Sequence, residues 1–412
     1  MSKGYWISVY EKIENPKILI EYAKKATVAI QIHQGNFLCR GGKNICLEGS
    51  AKPRTVVVEF PDSSEPLKFT ASSVDKDSKT YQSGGLKILT WNMRFGIGRL
   101  SFFGDSCGDK VIADETTVSS TMQAIADTLN VIDADIVLLQ EVDLGSKRTG
   151  YWNQIQYLLD NTYLNYGVYA STWQSDFIPT DGIGRVNTGN AILSKFEIGA
   201  AERIQLRLRT DQSDLVQYFY LRRNILKAEI PELASGQKKF FAVNIHATAF
   251  ATDDTKQQHV DKYVEVLGEI DSDGDVFISG GDLNAVPPGA VIDYCMNDIC
   301  DGEDFHVDGV EPFHKEGSYF QNFQNEPDIL VPLYDRYQPA IEIEAINQPE
   351  NYTHAPVTSM LNDSTIRKYD RKIDYLFTNM EWDDSSGFTH QACWEISDHM
   401  PISASVIPSA GD

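Results

Sequence analysis

The chain has 412 residues, enough for two or three domains, and its 42% hydrophobic content suffices for a large core. Asp and Glu outnumber Lys and Arg by 59 to 36, a formal charge of −23. That balance disfavours a dedicated grip on nucleic-acid backbones and leaves room for a local basic cleft or a bound cation. No apolar run is long enough to span a bilayer, and Met1–Glu14 lacks the basic-then-apolar order of a secretory signal, so a soluble, cytoplasmic protein is expected.

Gly4–Tyr10 is an aromatic and β-branched run that reads as a strand. Asn15-Pro16 then opens a helix, Asn as cap and Pro at the first helical position, and Lys17–Gln31 follows with helical spacing of Ile18, Ile20, Ala23 and Ala26. Gly35–Leu38 and Thr55–Phe60 read as two more strands, giving the order β-α-β-β. The stretches GYWIS, GNFLCRGG, LEG and PRTVVVEFP resemble the domain of unknown function 1330, a family of ferredoxin-like dimeric α+β barrels. The resemblance implies a small α+β domain over residues 1–71. Polar Pro61–Gly85 offers no match to the family's second helix and last strand, so an incomplete domain and a weak homodimer are expected. Residues 72–85 (SSVDKDSKTYQSGG) have linker composition.

From Leu86 the pattern becomes an α/β alternation. Strands are expected at Leu86–Trp91, Asp135–Leu139, Tyr166–Thr172, Gly189–Leu193, Ile204–Leu208, Leu221–Ile230, Phe240–Ile245, Val276–Ser279, Ile373–Phe377 and Ile402–Ile407. Thr117–Asn130 and Asp254–Ile270 read as helices. Strands far outnumber helices, which implies two packed sheets with helices outside rather than a Rossmann sheet. Ser101–Thr116 and Cys300–Pro349 read as long insertions. The six cysteines lack zinc spacing and are expected to be reduced, a Cys295–Cys300 disulfide being the minority reading.

Core strands should end in turn residues. Here they end in Trp91-Asn92, Gln140-Glu141, Asn244-Ile245-His246 and Gly281-Asp282-Leu283-Asn284, and Ser397-Asp398-His399 precedes the last strand. A single terminal Asn or Asp is ordinarily a turn former. Five endings of metal-ligand or acid-base type in one chain exceed what turns require. LKILTWNM, DIVLLQEVD, GNAILSK, FFAVNIHA, ISGGDLNAVP, RKIDYLFTN and SDHMPISA resemble, in order and approximate spacing, the endonuclease/exonuclease/phosphatase superfamily of metal-dependent phosphoesterases. The resemblance spans residues 86–408 and implies a DNase I-like four-layer α-β-β-α sandwich with its site at one edge of the paired sheets.

Phosphoester hydrolysis needs a hard cation, an oriented water and donors for developing charge. Glu141 is the oxygen ligand that Mg²⁺, or Mn²⁺ as the alternative, prefers. Asn92 can add its amide oxygen, and Asp398 is a further ligand or a turn cap. Asp282 and Asn284 can hold the attacking water. His399, oriented by Asp374, can donate to a phosphoryl oxygen, and His246 can contact phosphate or leaving oxygen from the other side, with Asn284 also on the substrate. His354 reads as structural, and His259, His306, His314 and His390 as surface or loop residues. Abasic-site endonucleases lack the Asn-Ile-His histidine and carry an acidic or amide residue where Arg94 stands, so that branch is disfavoured. The expected substrate is a small-molecule or lipid-headgroup phosphoester, with a DNase-type nuclease or a non-catalytic binding module as alternatives.

Overall fold

The computed structural model describes residues 4–32, 36–40, 52–60, 65–74, 85–103, 108–178, 182–249, 251, 253–290, 326–355 and 369–407. The chain divides into two units, Met1–Glu65 and Pro66–Asp412.

The first unit has the expected β-α-β-β order: β1 (Gly4–Tyr10), α1 (Pro16–Ile32), β2 (Asn36–Arg40) and β3 (Arg54–Phe60). Its antiparallel sheet runs β1-β3-β2. Asn15 caps α1 as its position suggests, its Oδ1 accepting from Lys17 N (3.0 Å) and Ile18 N (3.3 Å). The core of this unit is small, with Ile30, Val56 and Val58 buried among the described residues and Tyr10 and Phe37 against them. Cys39 and Cys393 are free thiols. Cys46, Cys107, Cys295 and Cys300 lie outside the described residues, and the Cys295–Cys300 pair with them.

The second unit begins earlier than composition suggests. Leu67–Thr70, placed with the first domain by sequence, is strand β4 at the edge of the larger sheet of the second unit, antiparallel to β7 (Tyr166–Ile178). Leu67 and Phe69 pack on the core, Ala71 is buried, and Ser72 donates to Asp160 through its backbone N (2.7 Å) and hydroxyl (3.1 Å). Four residues beside a polar tract carry too little periodicity to be read as a strand, so tertiary pairing decides the boundary. The part of the expected linker from residue 75 to 84 lies outside the described residues.

The remaining elements are β5 (Leu86–Asn92), α2 (Glu115–Ile132), β6 (Ile136–Asp143), α3 (Gln154–Asn161), β7, β8 (Gly184–Ser194), β9 (Ala201–Gln205), α4 (Asp214–Phe219), β10 (Asn224–Glu229), β11 (Phe240–His246), α5 (Thr255–Ser272), β12 (Val276–Asp282), α6 (Glu326–Ile329), α7 (Val331–Tyr334), β13 (Gln338–Pro339), β14 (Asp374–Thr378), β15 (Phe388–Thr389) and β16 (Ile402–Val406). The larger sheet runs β15-β16-β5-β6-β8-β7-β4 and the smaller β13-β14-β12-β11-β10-β9. Each expected strand and helix has a counterpart, several longer than expected; the strand expected at Ile204–Leu208 is displaced to Ala201–Gln205, and that expected at Leu221–Ile230 is shortened to Asn224–Glu229. The short elements α3, α4, α6, α7, β4, β13 and β15 have no counterpart in the sequence reading.

Alternation builds the layers. Leu86 and Ile88 of β5 and Ile136 and Leu138 of β6 share a core with Phe240 and Ala242 of β11 and Ile278 of β12, which fills the space between the sheets. The opposite faces, Leu89, Trp91, Val137 and Leu139, bury against Val118, Met122, Ile125 and Leu129 of α2. Val243, Ile245 and Phe277 bury against Val260, Tyr263 and Leu267 of α5. The result is the expected four-layer α-β-β-α sandwich. The second half of the expected insertion, from residue 326, is not a loop: Leu330, Leu333, Tyr337 and Ile346 join the α5 core. No described helix is long and apolar enough to cross a membrane.

The boundary at residue 66 has a measurable consequence. A chain beginning at Pro66 keeps β4, whereas one beginning at residue 81 loses Leu67, Phe69 and Ala71 from the core and bares the β7 edge. The longer deletion should cost about 3 kcal/mol or more and lower the thermal midpoint by about 5 °C or more, measured side by side by differential scanning calorimetry.

Candidate active site

On the faces that meet between the sheets, four strands follow one progression from apolar to polar. Read every second residue, β5 gives Leu86, Ile88, Thr90, Asn92 and β11 gives Phe240, Ala242, Asn244, His246. Likewise β12 gives Val276, Ile278, Gly280, Asp282, and β6 gives Ile136, Leu138, Gln140. β5 and β6 are parallel, as are β11 and β12, so all four polar ends fall at one edge of the sandwich. A buried bridge joins the sheets just behind it: Gln140 Nε2 donates to Asn244 Oδ1 (2.7 Å), and Asn244 Nδ2 donates to the carbonyls of Leu139 and Ala191 (2.8 Å each).

Glu141 breaks the alternation. The β6–β8 pairing shifts between Leu139 and Val142, and Glu141 takes φ 56°, so a bulge re-aims its side chain toward this edge. Gly281 is obligatory for a different reason: at φ 140° a Cβ there would stand 1.9 Å from the Ile245 carbonyl oxygen.

Asp282 is the hub. Its Oδ2 accepts from Asn92 Nδ2 (3.0 Å) and lies 3.2 Å from His246 Nε2 and 3.7 Å from His399 Nε2, while Oδ1 accepts from Asn284 N (2.9 Å). Burial pushes its carboxyl up, but the charge of His399 and the donors from His246 and Asn92 hold it well below the usual carboxylate range. The β12–β14 register sets Asp374 directly opposite Asp282. Asp374 is fully buried and accepts from His399 Nδ1 (2.9 Å to Oδ2, 3.2 Å to Oδ1), and Thr353 Oγ1 accepts from the Asp374 backbone N (3.1 Å). Burial alone would lower the His399 pKa; Asp374, Asp282 and Asp398 instead carry it well above the ordinary imidazole value. His246 goes the other way, down to about 4, through burial first and then the nearby Arg223 cation. At neutral pH His399 is an imidazolium and His246 a neutral ring whose Nε2–H donates to Asp282.

Glu141 is 22% exposed and 3.9 Å from His246 Nε2. Burial, reinforced by the charge of Asp398, pushes its carboxyl up to about 7. Asp398 is held low despite its burial, chiefly by Arg94, whose Nε is 3.3 Å away. Asn92 turns Oδ1 toward the Arg94 backbone N (3.1 Å), which leaves that oxygen one lone pair. Asn284, at φ 48°, donates from Nδ2 to the Ala247 carbonyl (3.1 Å), and its own carbonyl accepts from Lys256 Nζ, which is paired with Glu326 (2.8 Å).

All eight residues expected from the sequence therefore gather at this edge. Their donors suit a hard cation. Glu141 is the carboxylate whose charge is least compensated, with no Lys or Arg in ion-pair range among the described residues, and a divalent ion would relieve that strain. The ligand atoms of Asp282, Asp374 and His399 also lie within 4.8 Å of one another, a spacing compatible with an ion and already used by their mutual hydrogen bonds.

Sequence reasoning missed the supports. Arg94, in the sequence only a departure from the abasic-site branch, fixes Asp398 and the turn after β5, donating to the Gly98 (2.5 Å) and Leu100 (2.7 Å) carbonyls. Arg223 is buried beside the site, with Nη1 3.4 Å from the His246 carbonyl oxygen. His354, read from the sequence as structural though near the site, sits against His399. His259, expected on the surface, is buried in α5 and takes the Thr248 N–H on Nδ1 (3.2 Å); its place on the apolar face of that helix was the available signal. His306 and His314 lie outside the described residues.

Paired mixed sheets carrying an Asn, Glu, His and Asp edge between outer helices define a DNase I-like hydrolase fold. The endonuclease/exonuclease/phosphatase family model matches residues 89–399, and the chain belongs to that family. Residues 3–84 match the model of the domain of unknown function 1330, a match that runs on through the polar stretch after Phe60, where no likeness was expected. No curated protein matches the chain in sequence. Similar solved structures include an endonuclease/exonuclease/phosphatase from Beutenbergia cavernae DSM 12333, with 15% identity over 78% of this chain and 71% of that one (TM-score 0.49). A family protein from Leptotrichia buccalis C-1013-b has 13% identity over 78% and 99% (TM-score 0.47). TDP2 from Caenorhabditis elegans has 18% identity over 81% and 77% (TM-score 0.42).

A carboxyl raised to about 7 binds a proton in competition with a cation. Mg²⁺ affinity, measured calorimetrically, should therefore weaken as pH falls below 7, by up to about tenfold per unit. Glu141→Gln should lower affinity at pH 8 and flatten the profile. An unchanged profile in that variant would remove Glu141 from the ligand set.

Proposed function

We propose that the second unit is a divalent-metal-dependent hydrolase of phosphoester bonds, acting on a small-molecule or lipid-headgroup ester. The observation that carries this reading is the Asp282 hub, an ionised buried carboxylate flanked by a neutral and a protonated histidine. Glu141, with Asn92 and Asp398 as further oxygen donors, would hold Mg²⁺ or Mn²⁺, and such an ion supplies charge neutralisation at the phosphoryl oxygens.

The chain's own residues divide the remaining work. Asp282 is too weak a base to strip water unaided, so it acts as an acceptor that fixes the orientation of the attacking water, with Asn284 on the adjoining turn beside the phosphate. The water oxygen forms the new bond to phosphorus as the bond to the departing oxygen breaks; the water gives up a proton to solvent past Asp282, and the departing oxygen takes one from solvent to leave as the alcohol. His399 donates to a phosphoryl oxygen on which charge accumulates, and Asp374 holds its ring in place with Nδ1–H engaged. His246, neutral, keeps Asp282 aimed and offers its ring to the substrate side. The formal charge of −23 supports a compact ester over a nucleic-acid strand.

Plasmid DNA, sphingomyelin, inositol phosphates and bis-p-nitrophenyl phosphate, each with Mg²⁺ and with chelator, form the direct test. Hydrolysis of a compact ester that stops with chelator is the expected result, preferential cutting of DNA would favour the nuclease branch, and silence on every ester would sink the proposal. Within an active enzyme, Asp374→Asn should lower kcat by roughly 10²-fold with little change in KM. His399→Ala should be at least as severe, and the double variant little worse than His399→Ala. Additive losses would make Asp374 structural only.

A further inference from the structure

A second imidazole–carboxylate pair lies against the first. His354 Nδ1 is 2.7 Å from Asp370 Oδ1, and the His354 ring stands edge-on to that of His399 with centroids 5.6 Å apart. Backbone bonds hold the two pairs in register. His354 N donates to the Arg371 carbonyl (3.0 Å) and Asp370 N to the His354 carbonyl (3.1 Å). Ala355 N donates to the Asp398 carbonyl (2.8 Å) and Met400 N to that of Thr353 (2.6 Å). Asp370 is buried, and its other oxygen accepts from Arg371 Nη1 (2.8 Å).

An ionised carboxylate only accepts, so Asp370 fixes the hydrogen on Nδ1 and orients the ring. The other nitrogen, Nε2, has no partner among the described residues, and the side chain stays 13% exposed in an otherwise buried network. A purely structural brace for residues 369–372 would account for Asp370 and Arg371. It would not require an imidazole whose second nitrogen is unpartnered among the described residues, beside the histidine assigned to the phosphoryl group.

We propose that His354 is a substrate-contacting residue that hydrogen-bonds a hydroxyl on the alcohol side of the ester, which makes the substrate a polyol phosphoester. This rests on the reading of the site as a phosphoesterase. With the ring centroids 5.6 Å apart, a phosphoryl group held by His399 would leave a neighbouring hydroxyl of the same substrate within reach of His354. A second phosphate is less well served there: Asp370 and Asp398 lie beside the position, Arg371 and Arg94 are paired with them, and Arg99 is engaged with the Ala355 carbonyl (2.8 Å). A hydroxyl both donates and accepts, so it pairs with Nε2 in either protonation state.

Glycerol 2-phosphate and isopropyl phosphate carry the same secondary ester with and without flanking hydroxyls. With the full-length protein and Mg²⁺, imidazole ¹⁵N spectra and Kd values should be recorded for both. Both esters should move the His399 signals and only glycerol 2-phosphate those of His354, with its Kd about tenfold the lower, the worth of one good hydrogen bond. His354→Ala should collapse that ratio toward one, His354→Asn should keep part of it, and Asp370→Ala, which frees the ring, should fall between. Equal affinities in the unaltered protein, or a ratio unmoved by His354→Ala, overturns the polyol inference. Shifts at His399 with none at His354 overturn that inference alone, whereas silence at His399 with both esters overturns the phosphoesterase reading beneath it.

Discussion

A charged carboxylate buried between two sheets is tolerable only if it is surrounded by donors, and Asp282 is such a group. An uncompensated buried charge costs several kcal/mol. Asp282 is stabilised by an amide from the opposite sheet, an imidazole from the neighbouring strand, a second imidazole at longer range and the N–H of its own turn. Asn92 and His246 end core strands, Asn284 follows a third, and His399 precedes a fourth. The ionisation of one residue thus ties together the edges of both sheets, and the geometry of the site becomes a condition of folding rather than an addition to it.

The same arrangement divides the labour of two histidines a few ångströms apart. His246 is buried near Arg223 and loses its proton; His399 is buried among three carboxylates and keeps it. Nothing in the side-chain chemistry distinguishes them, so the surroundings assign one as a neutral donor and the other as a cation.

Much of this was legible in the sequence because it is periodic. Strands β5, β6, β11 and β12 announce themselves as apolar runs, and the polar residue that closes each one is in phase with the face turned toward the other sheet. Helices α2 and α5 follow from their apolar stripes. What escaped was aperiodic. β4 is too short to show alternation, and its pairing with β7 comes from a contact roughly a hundred residues away in the chain. α7 and the segment after it looked like insertion because their apolar residues are widely spaced. The supporting residues Arg94, Thr353, Arg371 and Asp370 act through backbone carbonyls and buried pairs. Such partners are set by tertiary geometry and leave no spacing signature. Glu141 was found by its position after a core strand, but the bulge that turns it inward was not foreseeable.

The in-phase strands also bear on how this protein can change over generations. In β5, β11 and β12 one reading frame of two residues specifies the core at one end and chemistry at the other. Inserting or deleting a single residue within such a strand would turn its core side chains outward and swing Asn92, His246 or Asp282 out of reach in the same event. A change of length is therefore tolerable in the loops and not within these strands, while exchange of side chains in place stays open. Point substitutions around the rim, in contrast, change one side chain at a time and leave the phase of the strands, and with it the fold, intact.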